Sequence, residues 1–166
     1  MRGEAEACGE WVLLSYRLPR EPSAPRIAVW RRLRRLGVVQ LADGLVALPA
    51  DARTREQLEW VADEVAEAGG TAGVWLARPT SITQERALAS AMAGARAAEY
   101  AAVAEAAASA QVTLESERSR TRDRLRRQWR EITRRDFFPP PERETARAAL
   151  EALADADRAS ASEVPG

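Results

Sequence analysis

The sequence predicts an α+β fold: a ferredoxin-like β-α-β-β-α-β domain followed by an α-helical C-terminal region. Three observations carry this expectation. Short apolar runs alternate with helical periodicities over residues 10–79, each closed by proline or glycine. An Asp-Gly pair separates two of the apolar runs, the strongest short-range sign of a hairpin. After Pro79 the composition turns first to alanine and then to arginine, with no further strand signal.

Taken in order, Trp11–Leu18 (WVLLSYRL) is an apolar run stopped by Pro19 and reads as a buried strand. REPSAPR is a proline-rich loop. A helix follows from about Pro25 to Leu36, with proline at its start and Gly37 after its end. Ile27, Trp30, Leu33 and Leu36 fall at helical spacing and are expected to face the core, with Arg31, Arg32, Arg34 and Arg35 on or beside the opposite face. Val38–Leu41 and Leu45–Leu48 form a hairpin about Ala42-Asp43-Gly44, and Pro49 ends its second strand. A second helix spans about Thr54–Ala68, carries Leu58, Val61 and Val65 on one stripe and stops at Gly69-Gly70. Gly73–Leu76 is the last strand. A split β-α-β of this kind builds a four-stranded antiparallel sheet with two helices on one face. Trp11, Leu13 and Trp75 are candidates for the uncovered face, and exposed apolar surface marks a partner. A homodimer through that face is expected.

Residues 84–112 are dominated by alanine, the best helix former, which buries little area per residue. A basic helix follows, with a boundary between Gln111 and Glu115, and FFPPP breaks it. ERETARAALEALADAD is a short final helix with Ala146, Ala149, Leu150 and Leu153 on one side. The expected organisation is a disordered leader over residues 1–9, the sheet domain over 10–79, the helical region over 80–156 and a disordered tail over 157–166.

The charges balance, 25 basic residues against 25 acidic in a chain of 166, and every basic residue is arginine. Their distribution is uneven: Arg118 to Arg135 holds nine arginines against Asp123 and Glu131, while residues 136–166 hold three against seven acids. The chain has no histidine, which removes the commonest general base and metal ligand. Its single cysteine, Cys8, excludes an intrachain disulfide and a thiolate metal cage. No apolar run approaches the ~20 residues needed to span a bilayer. MRGEAEACGE has acids and no apolar centre, unlike a signal peptide. A cytoplasmic protein is expected. No nucleotide-binding glycine loop, catalytic triad or carboxylate pair with a plausible base is present, so neither an enzyme nor a cofactor is expected.

On a helical wheel of about 100° per residue, Thr121, Leu125, Trp129 and Ile132 form a narrow stripe in the basic block. Arg122, Arg126, Arg130 and Arg134 recur along one flank; Arg120, Arg124, Arg127 and Arg135 fill the rest. Such a helix is either a solvated face or a phosphate-binding surface. The scarcity of interspersed acids and the second cluster in RRLRR favour the surface. The acidic tail is available to neutralise it, and composition leaves both readings open. Tyr16 and Arg17, at a strand end, can face a phosphate or simply pack. Asp43 serves the turn, and Trp30 and Trp129 are expected to pack.

WVLLSYRLP, AVWRRLRRLGVVQLADGLVALP and GVWLARP, with the later AEY and LRRQW..I..RDFFP, together resemble the N-terminal domain of the chromate-resistance regulator family ChrB. The resemblance implies a transcriptional regulator of chromate efflux, with DNA binding in its N-terminal part and chromate response in a C-terminal part. This chain ends soon after the first, so the chromate-responsive half is expected to be missing. The strand-helix-hairpin portion resembles, more distantly, the phenylacetate-pathway repressor PaaX and the small CRISPR spacer-integration subunit. In the latter a metal-linked aspartate follows the first strand's tyrosine. Arg17 stands there in this chain, and a permanent cation cannot ligate a metal. The expected site is therefore a set of phosphate or oxyanion contacts: Arg17, Arg31, Arg32, Arg34, Arg35, Arg122, Arg126, Arg127, Arg130 and Arg134. Its expected ligand is DNA, with chromate, a tetrahedral oxyanion, as a second candidate. The alternative is a protein-interaction module of a chromate-resistance system that makes no DNA contact.

Overall fold

The computed structural model describes residues 8–162. Most of the expected leader and the last residues of the expected tail lie outside the described residues. Nine elements follow in chain order among those described: β1 (Trp11–Arg17), α1 (Ala24–Leu36), β2 (Val39–Ala42), β3 (Leu45–Pro49), α2 (Ala52–Glu67), β4 (Thr71–Ala77), α3 (Ile82–Ala110), α4 (Glu115–Arg134) and α5 (Glu142–Ser162). The chain divides into two compact units, one up to Met92 and the other from Ala93, so the first turns of α3 belong with the sheet.

In the first unit the sheet order is β2-β3-β1-β4, and every neighbouring pair is antiparallel. β3 lies between β1 and β2, the two strands that α1 connects. Strand alternation sends Val12 and Leu14 to one face and Trp11, Leu13 and Ser15 to the other. Val12 and Leu14 are buried with Val46 and Leu48 of β3, Val29 and Leu33 of α1, and Leu58, Val61 and Val65 of α2. Each such side chain contributes roughly 1.5–3 kcal/mol by leaving water.

Local chemistry sets the ends of these elements. Asp51 caps α2 reciprocally: the Thr54 N–H donates to Asp51 Oδ1 at 2.7 Å and the Asp51 N–H donates to Thr54 Oγ1 at 2.9 Å. In the β2–β3 turn Gly44 has φ 71°, and a Cβ there would sit 2.4 Å from the Tyr16 carbonyl oxygen. Only glycine fits that position, and its carbonyl accepts from the Tyr16 N–H at 2.8 Å.

Two expectations for this unit are corrected. In α1, Ile27 and Trp30 do not face the core; they are 47% and 38% exposed, and the buried residues are Val29 and Leu33. Ile27 lies roughly 160° round the helix from Val29, so the bulkier residues are on the outside. On the other sheet face Trp75 is 59% exposed, but Trp11 is buried. The start of α3 covers Trp11: Glu85 Oε1 accepts from the Trp11 indole N–H at 3.1 Å and from the Gly9 N–H at 2.7 Å. Gln84 and Leu88 of α3 close a cavity of about 90 Å³ beside Trp11, Leu13 and Ala47.

In the second unit the end of α3 packs with α4 and α5. The core contains Tyr100, Val103, Ala107 and Ala110 of α3, Leu125 and Ile132 of α4, and Ala146, Leu150 and Leu153 of α5. The α3 set follows a three-and-four spacing, which makes one stripe of small residues around a single large one. That large side chain, Tyr100, meets Trp129 with ring centroids 5.0 Å apart and planes tilted by 53°. α5 continues to Ser162, past residue 157 where a disordered tail was expected, because Asp157 and Ser160 are held by α4. Replacing Asp51 with Ala should remove the α2 cap and cost about 1 kcal/mol. The check is a lower urea midpoint at unchanged denaturant slope.

Candidate nucleic-acid interface

The ten expected arginines separate by what holds them. On α1, Arg31, Arg34 and Arg35 are exposed and have no ion pair among the described residues. Arg32 is half-buried, and its Nη1 meets Glu64 Oε2 of α2 at 2.7 Å. It ties the two helices together. Arg17 is exposed at the end of β1 and lines a cavity with Tyr16, Arg26 and Trp30, beside the N-terminal turn of α1.

On α4 the division is sharper. Arg118 is 8% exposed; its Nε donates to Asp157 Oδ1 at 2.7 Å and its Nη2 to Ser160 Oγ at 2.6 Å. Arg122, one of the expected phosphate contacts, pairs with Asp157 Oδ2 and with Asp123. Arg135 forms a two-point contact with Glu99 of α3, its Nη1 donating at 2.9 Å. Arg126, Arg127, Arg130 and Arg134 remain exposed, without an ion pair among the described residues. They form the free part of the basic block, together with Arg120 and Arg124.

The wheel drawn from Leu125 missed Arg118, although its signal was available. Arg118, Leu125 and Ile132 stand seven residues apart and so share one stripe. On α5 the buried stripe of Ala146, Leu150 and Leu153 reaches Asp157 at the next position. A charged residue at a core position on each of two neighbouring helices, with opposite signs, is the pattern of a buried ion pair.

A second polar cluster crosses from α3 to the end of α4. The Tyr100 hydroxyl donates to Asp136 Oδ2 at 2.8 Å, and Arg143 Nη1 lies 3.5 Å from the same oxygen. The Asp136 side chain is fully buried, and its Oδ1 has no hydrogen-bond partner among the described residues. Burial first, and then the Asp136 carboxylate, hold the Tyr100 phenol above its ordinary value. Arg96 is nearly buried beside them, with Nη2 2.7 Å from Glu99 Oε1 and Nη1 3.5 Å from the Arg135 carbonyl. Burial lowers its pKa and Glu99 offsets part of that. Among the described residues no group of His, Cys, Asp and Glu side chains suits a metal ion. None of their helices is long and apolar enough to cross a membrane.

A family model described as Protein ChrB, N-terminal, matches residues 26–164. The chain belongs to the ChrB N-terminal family. Membership makes it a module related to chromate-resistance regulators. The ChrB match takes in α1 from its third residue, the hairpin, α2, β4 and all three long helices, so the arginines of both basic clusters lie inside it; β1 precedes it. Comparison with curated proteins and with solved structures returned no match.

The ion network makes two expectations for this ChrB-family chain. Asp157→Ala leaves Arg118 buried and unpaired, which should cost about 3–5 kcal/mol, whereas an Arg118→Met, Asp157→Leu double variant should recover most of that loss. Urea unfolding of both variants is the measurement. For Tyr100, the neutral form is favoured by folding, so its contribution is complete below the unfolded value of about 10 and is lost as pH rises beyond it. Stability should fall there by up to about 1.4 kcal/mol per pH unit from this group. Tyr100→Phe should flatten that part of the profile when unfolding is followed from about pH 9 to 12.

Proposed function

We propose that this chain is a DNA-binding regulatory module of the chromate-resistance type, non-catalytic, which grips phosphates through arginine. The observation that carries the reading is the sorting on α4. Arg118, Arg122 and Arg135 are spent on carboxylates inside the unit, while Arg126, Arg127, Arg130 and Arg134 stand exposed without an ion pair among the described residues. Guanidinium forks suit phosphate oxygens. Arg31, Arg34 and Arg35 give the first unit a second exposed cluster of the same kind. Family membership supplies the regulatory context.

The sheet order β2-β3-β1-β4 supports reading the first unit as ferredoxin-like. Trp75 and its neighbours, the part of the sheet face left open by α3, are the surface proposed for a homodimer. Chromate, as a tetrahedral anion, competes for the same arginines in this reading.

A salt-titrated binding assay on duplex DNA from upstream of a chromate-resistance operon tests it. With the four α4 arginines on phosphates, the plot of log K against log salt should fall with a slope of about −3.6. Replacing all four with Gln should flatten it and abolish binding at about 0.15 M salt. A flat response in the parent chain would overturn the reading. Self-association that survives charge reversal at Arg126 and Arg130, with no DNA binding at low salt, would put a protein-interaction module in its place.

A further inference from the structure

At the end of β1 in the first unit, a cavity of about 670 Å³ opens between the β2–β3 turn and the N-terminal half of α1. Its volume lies in the range of small-molecule sites. We infer that this cavity binds a small organic monoanion carrying a flat ring, of the aromatic carboxylate class, held by Arg17 and Arg26 against Trp30.

The argument starts from α1. Val29 and Leu33 turn inward, so the residues on the outward side must be soluble or serve something. Arg26 and Trp30 stand four residues apart and Ile27 and Trp30 three, so all three share one outward face, and all three line the cavity. Trp30 and Ile27, half exposed there, give an apolar wall wide enough to cover one ring. Leu18 continues that wall from the chain beyond β1.

The rest of the lining is polar. Arg17 and Arg26 are exposed and have no ion pair among the described residues, and the lining contains one carboxylate, Asp43. Two cations against one anion leave a single positive charge for the ligand to neutralise. Ser23 begins α1 without a side-chain capping bond, so its hydroxyl is free to face a ligand. The Tyr16 phenol, raised by burial and lying between the opposing influences of Arg26 and Asp43, stays protonated at neutral pH and can donate. The site is also preformed, because Gly44 locks the hairpin turn against the Tyr16 backbone.

This site is independent of the α4 arginines, so DNA binding can fail without affecting it, and the reverse. Ligand-observed NMR and calorimetry on the full chain, with benzoate and indole-3-acetate as probes, test it. Both should bind, while acetate, a charge without a ring, and benzyl alcohol, a ring without a charge, should bind at least about tenfold more weakly. Arg17→Ala, Arg26→Ala and Trp30→Ala should each weaken binding about tenfold, from the loss of a charge-assisted bond or a stacking face. Trp30→Phe should keep most of the affinity, and Arg55→Ala, at an exposed arginine of α2 outside the cavity, all of it. These side chains are exposed, and a circular dichroism spectrum matching the parent shows that each variant is folded. Absence of binding by both aromatic probes at millimolar concentration overturns the proposal. So does binding that the three Ala variants leave unchanged. Tighter, variant-sensitive binding of a short oligothymidylate than of either probe overturns the small-ligand assignment in favour of an unpaired nucleic-acid strand.

Discussion

The buried contact of Arg118 with Asp157 governs the helical unit. Two guanidinium groups, from Arg118 and Arg122, converge on the carboxylate of Asp157. A charge held this far from water needs its partner close by, and the pair forms with α4 turned so that Arg118 faces α5. With that rotation set, Leu125 and Ile132 enter the core and Trp129 reaches Tyr100. Arg126, Arg127, Arg130 and Arg134 are then turned outward. The same carboxylate keeps the last turns of α5 in place, although their composition alone suggests fraying.

An analogous rotation shapes the first unit, by packing instead of charge. α1 buries Val29 and Leu33, and Arg32 reaches across to Glu64 of α2. Those contacts leave Ile27 and Trp30 outside. A helix that exposes its largest apolar residues while burying smaller ones loses area it could have removed from water. Here the exposed pair lines a cavity that also carries Arg17 and Arg26. Departures from local sequence logic gather at sites that bind something.

The two units thus offer different chemistry. The helical unit presents a row of exposed arginines that form no ion pair among the described residues, suited to a polyanion. The sheet unit presents a formed concavity with one apolar wall and a small excess of positive charge, suited to one small molecule.

Much of this was legible in the residues. Proline and glycine placed the ends of the elements, Asp-Gly placed the hairpin, and the spacing of Leu58, Val61 and Val65 placed the buried face of α2. The heptad that links Arg118 to Leu125 and Ile132 was present too, but an arginine reads as solvent-facing until its carboxylate partner is known. Periodicity alone could not choose the inward face of α1, because Ile27 and Trp30 are as apolar as the residues that won. Strand order, the covering of Trp11 by the start of α3 and the cavity beside Trp30 join residues far apart in the chain. The sequence by itself determined the elements, their order and the supply of arginine. The tertiary structure alone decided which arginines are neutralised and which are free, because that depends on where Asp157, Glu99 and Glu64 are brought, and local sequence carries no record of such distances.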